Sequence, residues 1–276
     1  MSWFRAFILL LFAVPVWAAE GYIVGIGVEA DSEDAMAASL SGELGLAENT
    51  WLSGAVAKSS FDLPRGISID TIYGDVGIDH WFDPVGVRAT VAYWGDSDIL
   101  DSLDYRGSLY WRNDKVSIAG DFEYRDFSFD IFRGDLRPDQ DVRFHANGAG
   151  LTARFELNDA VDLSLSALDY DYNVNLRIDA NRPILEFLSV SRLSLINSLI
   201  DYRARIGLGI DVGKQRWSLD LATWKSEVDG RRTKSGTLRF ITPIGEKSDI
   251  DIGLGVDDSD GYGSATILSI YVYFYG

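Results

Sequence analysis

Two sets of side chains in this sequence could do chemistry. One is a group of arginines: Arg88, Arg106, Arg112, Arg125, Arg203, Arg205 and Arg239. The other is a group of carboxylates: Glu43, Asp75, Asp79, Asp104, Asp121, Glu123, Asp211, Asp220 and Asp251. Each falls on the polar face of a stretch that alternates polar and apolar residues. Such a set can present fixed charge to small ions, or it can pair internally and brace a wall. Arg203 and Arg205 place two like charges on one face, and the pairing alternative is a neighbouring strand that carries acids. The two signs are too evenly mixed to set an anion or a cation preference.

Covalent chemistry is poorly served. The chain has no cysteine, which excludes disulfides, thiolate metal sites and a cysteine nucleophile. It has two histidines, His80 beside Trp81 and His145 in "FHANGAG". A lipid-hydrolysing centre would need a serine near His145, and Asn147 stands two residues on instead. No phosphate loop, dinucleotide fingerprint or HExxH motif occurs. "DDSDGYG" (257–263) has the start of a calcium loop but no closing Glu. No cofactor or metal is expected. The net charge of -17 argues against a nucleic-acid partner.

The elements that carry these residues repeat with a period of two. Leu268, Ile270, Val272 and Phe274 oppose Ser269, Tyr271, Tyr273 and Tyr275. Val87, Ala89 and Val91 oppose Arg88 and Thr90. Ile118, Phe122 and Tyr124 oppose Asp121, Glu123 and Arg125. Ala204, Ile206, Leu208 and Ile210 oppose Arg203, Arg205, Gly207, Gly209 and Asp211. Ile252, Leu254 and Val256 oppose Asp251, Gly253 and Gly255. Alternation of this kind marks a sheet whose two faces meet different media. The stretches run about ten to twelve residues, longer than most globular strands and right for a tilted membrane crossing. Aromatics cluster near their ends: Tyr22, Trp51, Trp81, Tyr93, Trp94, Trp111, Tyr124, Tyr202 and Trp217. An interfacial girdle is the expected use of such residues.

Short and long connections alternate along the chain. Short ones fall near 48–50, 81–86, 113–114, 158–160, 214–215 and 243–249. Longer ones fall near 31–38, 60–66, 96–102, 127–142, 173–200, 229–234 and 258–263. The expected fold is all-β: a closed, antiparallel, up-and-down transmembrane barrel of about fourteen strands, within roughly twelve to sixteen. The alternation slips at "HANGAG" (145–150) and near Leu168, where glycines suggest kinks. The connection 173–200 is too long to be idle. It reads as a helix folded into the barrel mouth or as a strand extension, and we favour the constriction. Acids concentrate in the loops, at Asp31, Asp98, Asp139 and Asp258 for example. They could bridge to lipopolysaccharide through divalent cations, but solvated turn residues explain them more simply.

The first residues read as an export signal. "MSWFR" precedes the apolar run "AFILLLFAVPVW", and Val16 and Ala18 are placed for cleavage before Ala19. Residues 1–18 are therefore expected to be a signal peptide and 19–276 the barrel. Cleavage would remove Arg5 and no acid, giving -17 - 1 = -18. After Ala19 no apolar run reaches the ~18 residues of a spanning helix.

The last strand, with Leu268, Ile270, Val272 and Phe274, resembles the C-terminal sorting signal of Gram-negative outer-membrane β-barrel proteins. It departs from that pattern in that Tyr275 and Gly276 follow the final apolar aromatic. The resemblance implies a bacterial outer-membrane location. It also implies contact with lipid and lipopolysaccharide and recognition by the barrel assembly machinery. It identifies the porin-like class and no family within it. The expected activity is non-enzymatic: passive diffusion of a small hydrophilic solute through a mixed-charge lumen. Arg88, Arg106, Arg125, Arg203, Arg205, Arg239, Glu43, Asp75, Asp121, Glu123, Asp211 and Asp220 are the expected lining. The alternatives are a closed structural barrel with partner-binding loops and, more remotely, a lipid-modifying enzyme.

Overall fold

The computed structural model describes residues 21–63, 67–96, 100–131, 140–173, 199–261 and 263–276. The expected signal peptide lies outside them. So does 174–198, the body of the long connection, and with it the choice between constriction and strand extension.

Fourteen strands follow one another along the chain: β1 (Tyr22–Asp31), β2 (Met36–Ala47), β3 (Thr50–Leu63), β4 (Ile67–Trp81), β5 (Val85–Asp96), β6 (Leu100–Arg112) and β7 (Val116–Ile131) come first. Then come β8 (Gln140–Asn158), β9 (Val161–Tyr172), β10 (Ile200–Val212), β11 (Gln215–Ser226), β12 (Arg232–Gly245), β13 (Ser248–Ser259) and β14 (Gly263–Tyr275). Each pairs antiparallel with its sequence neighbours, and β1 pairs with β14, so the sheet is a closed barrel. Closure leaves no edge of unpaired N–H and C=O groups, which hydrocarbon would not tolerate. The fold is the expected one, and the strand number is fourteen.

The outer face is apolar. Ile26, Val91, Leu109, Phe122, Leu151, Leu221, Leu254 and Leu268 are all exposed there, in a continuous band that water would not tolerate on a soluble protein. Their neighbours in sequence point inward and carry the charge.

Gly21 and Gly276, the first and last described residues, lie at the rim of the short turns, here called the turn end. The opposite rim is the loop end. The seam is made at the turn end as well as along β1 and β14: the Tyr22 N–H donates to the Gly276 carbonyl at 2.9 Å, and the Gly276 N–H returns a bond to Tyr22 at 3.1 Å.

Three expectations need correction. First, the flanks of several longer connections are strand. β3 and β4 run to Leu63 and from Ile67, and β7 and β8 run to Ile131 and from Gln140. Alternation weakens there, so the sequence alone does not mark these strand ends. Second, β8 does not kink at 145–150: its register with β7 is unbroken from Val116↔Phe155 to Ile131↔Gln140. Nor does β9 slip at Leu168. The inward face simply turns apolar there. Third, the girdle loses three members. Register places Trp51 opposite Gly45 and Asp79, Trp81 opposite Gly86, and Trp94 opposite Tyr73 and Ser102, all on the inward face. Tyr22, Tyr93, Trp111, Tyr124 and Trp217 do face outward and are exposed.

Candidate functional site: the charged lumen

The inward face is built in tiers. Toward the loop end, β6, β7 and β10 bring five of the residues singled out from sequence together. Arg106 donates to Asp104 at 2.8 Å and lies 4.0 Å from Glu123. Arg125 reaches Asp104 at 3.3 Å, and both side chains are fully buried. Arg203 donates to Glu123 at 2.8 Å, although β8 and β9 stand between their strands. Tyr170 of β9 also donates to Glu123, at 2.7 Å.

Two glycines make these reaches possible. Gly148 sits in register between Glu123 and Tyr170, and a Cβ there would come within 2.8 Å of the Tyr170 ring and 3.3 Å of Glu123. Gly150 leaves the same kind of space for Leu168, whose Cδ1 would lie 2.3 Å from an added Cβ. The glycines of "HANGAG" are therefore places where a neighbour's side chain lies down, not bends.

Above this charge network the lumen wall turns apolar. Trp94, Leu100, Phe127, Phe144, Leu168, Leu199, Ile200 and Trp224 form one buried cluster with Tyr170. Phe127 stacks on Phe144 with ring centroids 4.9 Å apart. The Arg125 guanidinium stands 5.5 Å from the Phe127 ring and 5.4 Å from that of Tyr170, so it joins the two tiers by cation–π contact. Sequence reading missed this cluster. The signal was present in the inward parity of Trp94, Phe127 and Tyr170, but a lumen was expected to be polar.

Lower tiers are charge pairs, most of them between adjacent strands and some across one intervening strand. Arg88 bonds Asp79 through Nε at 2.8 Å and Nη2 at 2.7 Å, and Tyr110 donates to the same carboxylate at 2.6 Å. Arg205 bonds Asp220 through Nε at 3.0 Å and Nη2 at 2.6 Å. Asp121 accepts from Ser108 at 2.6 Å and Thr152 at 2.7 Å. Arg239 pairs with Asp251. Arg216, not singled out from sequence, pairs with Asp162 and reaches Asp211 at 3.1 Å. Asp75 accepts from Tyr73. Arg203 and Arg205 thus each have an acid partner, one on a distant strand and one on the adjacent strand.

Two cavities open between these walls. The first, about 470 Å³, is lined by Arg88, Arg106, Arg203, Arg205, Ser108, Thr152 and Ser166, with Leu168, Ile200 and Trp224 among its apolar lining. The second, about 560 Å³, lies on the other side of the barrel, where Glu43, Asp75 and Asp249 meet Ser41, Ser53, Tyr273 and Tyr275. Arg239, Asp211 and Asp220 do not line either one.

The histidines sit apart from both. His80 shares a 2.7 Å hydrogen bond with Thr50 and packs edge-on to Phe82. His145 stacks on Tyr124 with centroids 5.6 Å apart. Among the described residues no three metal-ligating side chains cluster. Several of the acids expected to decorate the loops are in strands instead: Asp31 ends β1, and Asp257 of β13 is buried on the inward face.

No family model and no curated protein matches the sequence. Solved structures do match in fold. The CymD monoaromatic hydrocarbon channel superposes with a TM-score of 0.58 at 9% identity, over 94% of this chain and 89% of that one. A loop L8 deletion mutant of OmpT, an outer membrane protein of Vibrio cholerae, gives 0.52 at 9%, over 94% and 100%. Acinetobacter baumannii OccAB1 gives 0.50 at 10%, over 94% and 96%. The chain shares with these proteins the closed barrel of outer-membrane porins and channels.

Proposed function

We propose that the chain is an outer-membrane channel through which a small hydrophilic solute diffuses passively. The observation that carries this reading is a closed fourteen-strand wall, apolar outside, whose inner face leaves two cavities lined in part by charged side chains. Barrels of about eight strands fill their interior with side chains, whereas this one keeps space between its tiers. The solute would meet charged side chains from Arg88, Arg106, Arg203, Arg205, Asp121 and Glu123 on one side and from Glu43 and Asp75 on the other. Arg125 and Arg239 would act by holding that wall in place. The apolar outer face and the β14 sorting residues Leu268, Ile270, Val272 and Phe274 support residence in the outer membrane after export. The role inferred here is non-enzymatic.

One observation favours a second reading, a barrel closed to solutes. The buried cluster of Trp94, Phe127, Phe144, Ile200 and Trp224 gathers side chains from strands β5 to β11 toward the loop end. Planar-bilayer conductance separates the two. The channel reading predicts single-channel steps for the wild-type protein, altered by the double substitution Arg203→Ala and Arg205→Ala. Silence from both proteins would establish the closed barrel instead.

A further inference from the structure

The first cavity has a cationic surface. Four arginines and two acids line it, and the two signs are not equally presented. The Arg88 side chain is 61% exposed and its partner Asp79 21%; Arg205 is 56% exposed and Asp220 17%; Arg203 is 36% exposed and Glu123 8%. In each pair the carboxylate is held back against the wall and the guanidinium projects. Arginine keeps its charge under all ordinary conditions and offers a planar fork of donors suited to a carboxylate. A solute in the cavity would therefore meet cationic donors first, from β5 and β10.

A second feature is independent of the arginines. Trp224 lines the same cavity and is 2% exposed, and its indole N–H makes no hydrogen bond among the described residues. A buried donor without an acceptor is costly, and nearly all such groups in folded proteins are satisfied. An acceptor-bearing ligand would satisfy it. Leu168 and Ile200, both buried, complete an apolar side of the lining next to the indole. The cavity volume of about 470 Å³ is within the range of small-molecule sites.

We propose that this cavity is a binding site for a small organic anion, a carboxylate with an apolar body. Its charged end lies among the Arg88, Arg203 and Arg205 guanidiniums, and its apolar end lies against Leu168, Ile200 and Trp224. The proposal rests on the channel reading for its biological meaning, because it names the class of solute. As a binding site it stands alone.

The test is equilibrium binding to the full, detergent-solubilised barrel, with three probes. These are benzoate, which has both features, benzylammonium, which is of similar size and reverses the charge, and acetate, which lacks the apolar body. Titration calorimetry on the wild-type protein is expected to show benzoate binding at least tenfold more tightly than either, about 1.4 kcal/mol. The Arg205→Gln variant, and Arg205→Lys in case the first folds poorly, should weaken benzoate by about tenfold. Trp224→Phe should erase part of the margin over acetate, since it removes the indole donor and keeps the apolar ring. Equal or tighter binding of benzylammonium by the wild type would overturn the proposal, as would a benzoate affinity unchanged in both Arg205 variants. Conductance without benzoate binding refutes the site and leaves the channel reading standing. Benzoate binding by a barrel that never conducts supports the site and refutes the channel.

Discussion

At the scale of single residues the lumen depends on a few charges that have no access to water. Arg125 and Asp104 are both buried, and the guanidinium also contacts two aromatic rings. Breaking a buried pair by deleting one partner leaves an uncompensated charge and costs about 3–5 kcal/mol. Arg125→Ala should therefore lower the urea stability of the barrel in lipid vesicles by an amount of that order. Lys58→Ala, which removes an exposed partner of Asp70, should leave it within error. The glycines that admit long side chains make a second prediction. Gly148→Val should displace Tyr170 from Glu123 and shift the unfolding midpoint down. Gly74→Ala, where an added Cβ meets nothing nearer than 3.8 Å, should be tolerated. Sequence reading recognised these glycines as special and gave the wrong cause, because a strand glycine under a neighbour's ring and a strand glycine at a bulge look alike in one dimension.

At the scale of elements the closing seam explains the aromatic last strand. β14 sends Ile270, Val272 and Phe274 outward and Tyr271, Tyr273 and Tyr275 inward. Opposite them β1 offers Gly27 to Tyr271 and Gly25 to Tyr273. The Tyr271 ring lies so close over Gly27 that an added Cβ would fall 2.1 Å from it, and its hydroxyl donates to Glu29 at 2.6 Å. The ring covers the gap that a glycine leaves in the seam. Gly27→Val should prevent this and reduce the fraction of protein that runs as the compact, heat-modifiable form in gel electrophoresis. Phe274→Ser should do something different. It should slow assembly in cells, followed by pulse labelling, while the purified chain still refolds in detergent, because that residue faces lipid and its expected role is in sorting.

At the scale of the whole molecule, stability in the membrane comes from the match between an apolar exterior and hydrocarbon. Leu254 lies at mid-height on the outer face and is 55% exposed. An arginine there would sit near the bilayer centre, where it costs about 2–4 kcal/mol in a barrel. Leu254→Arg should lose that much in vesicle unfolding titrations. A smaller loss is expected for Leu46→Arg, close to the turn end, where a long side chain can reach water.

The sequence by itself determined the closed antiparallel barrel, a strand number near fourteen and the facing of the residues in its clearly alternating stretches. All of these follow from the two-residue period of a strand, which converts position directly into face and is local. The tertiary structure alone decided which charges meet and what they present. Arg203 finds Glu123 across two intervening strands, the acids withdraw behind their arginines, and Trp94 and Trp224 join one cluster from β5 and β11. These outcomes depend on side-chain reach across a curved wall and on which neighbours are small enough to be crossed. Neither has a period that a linear sequence can display.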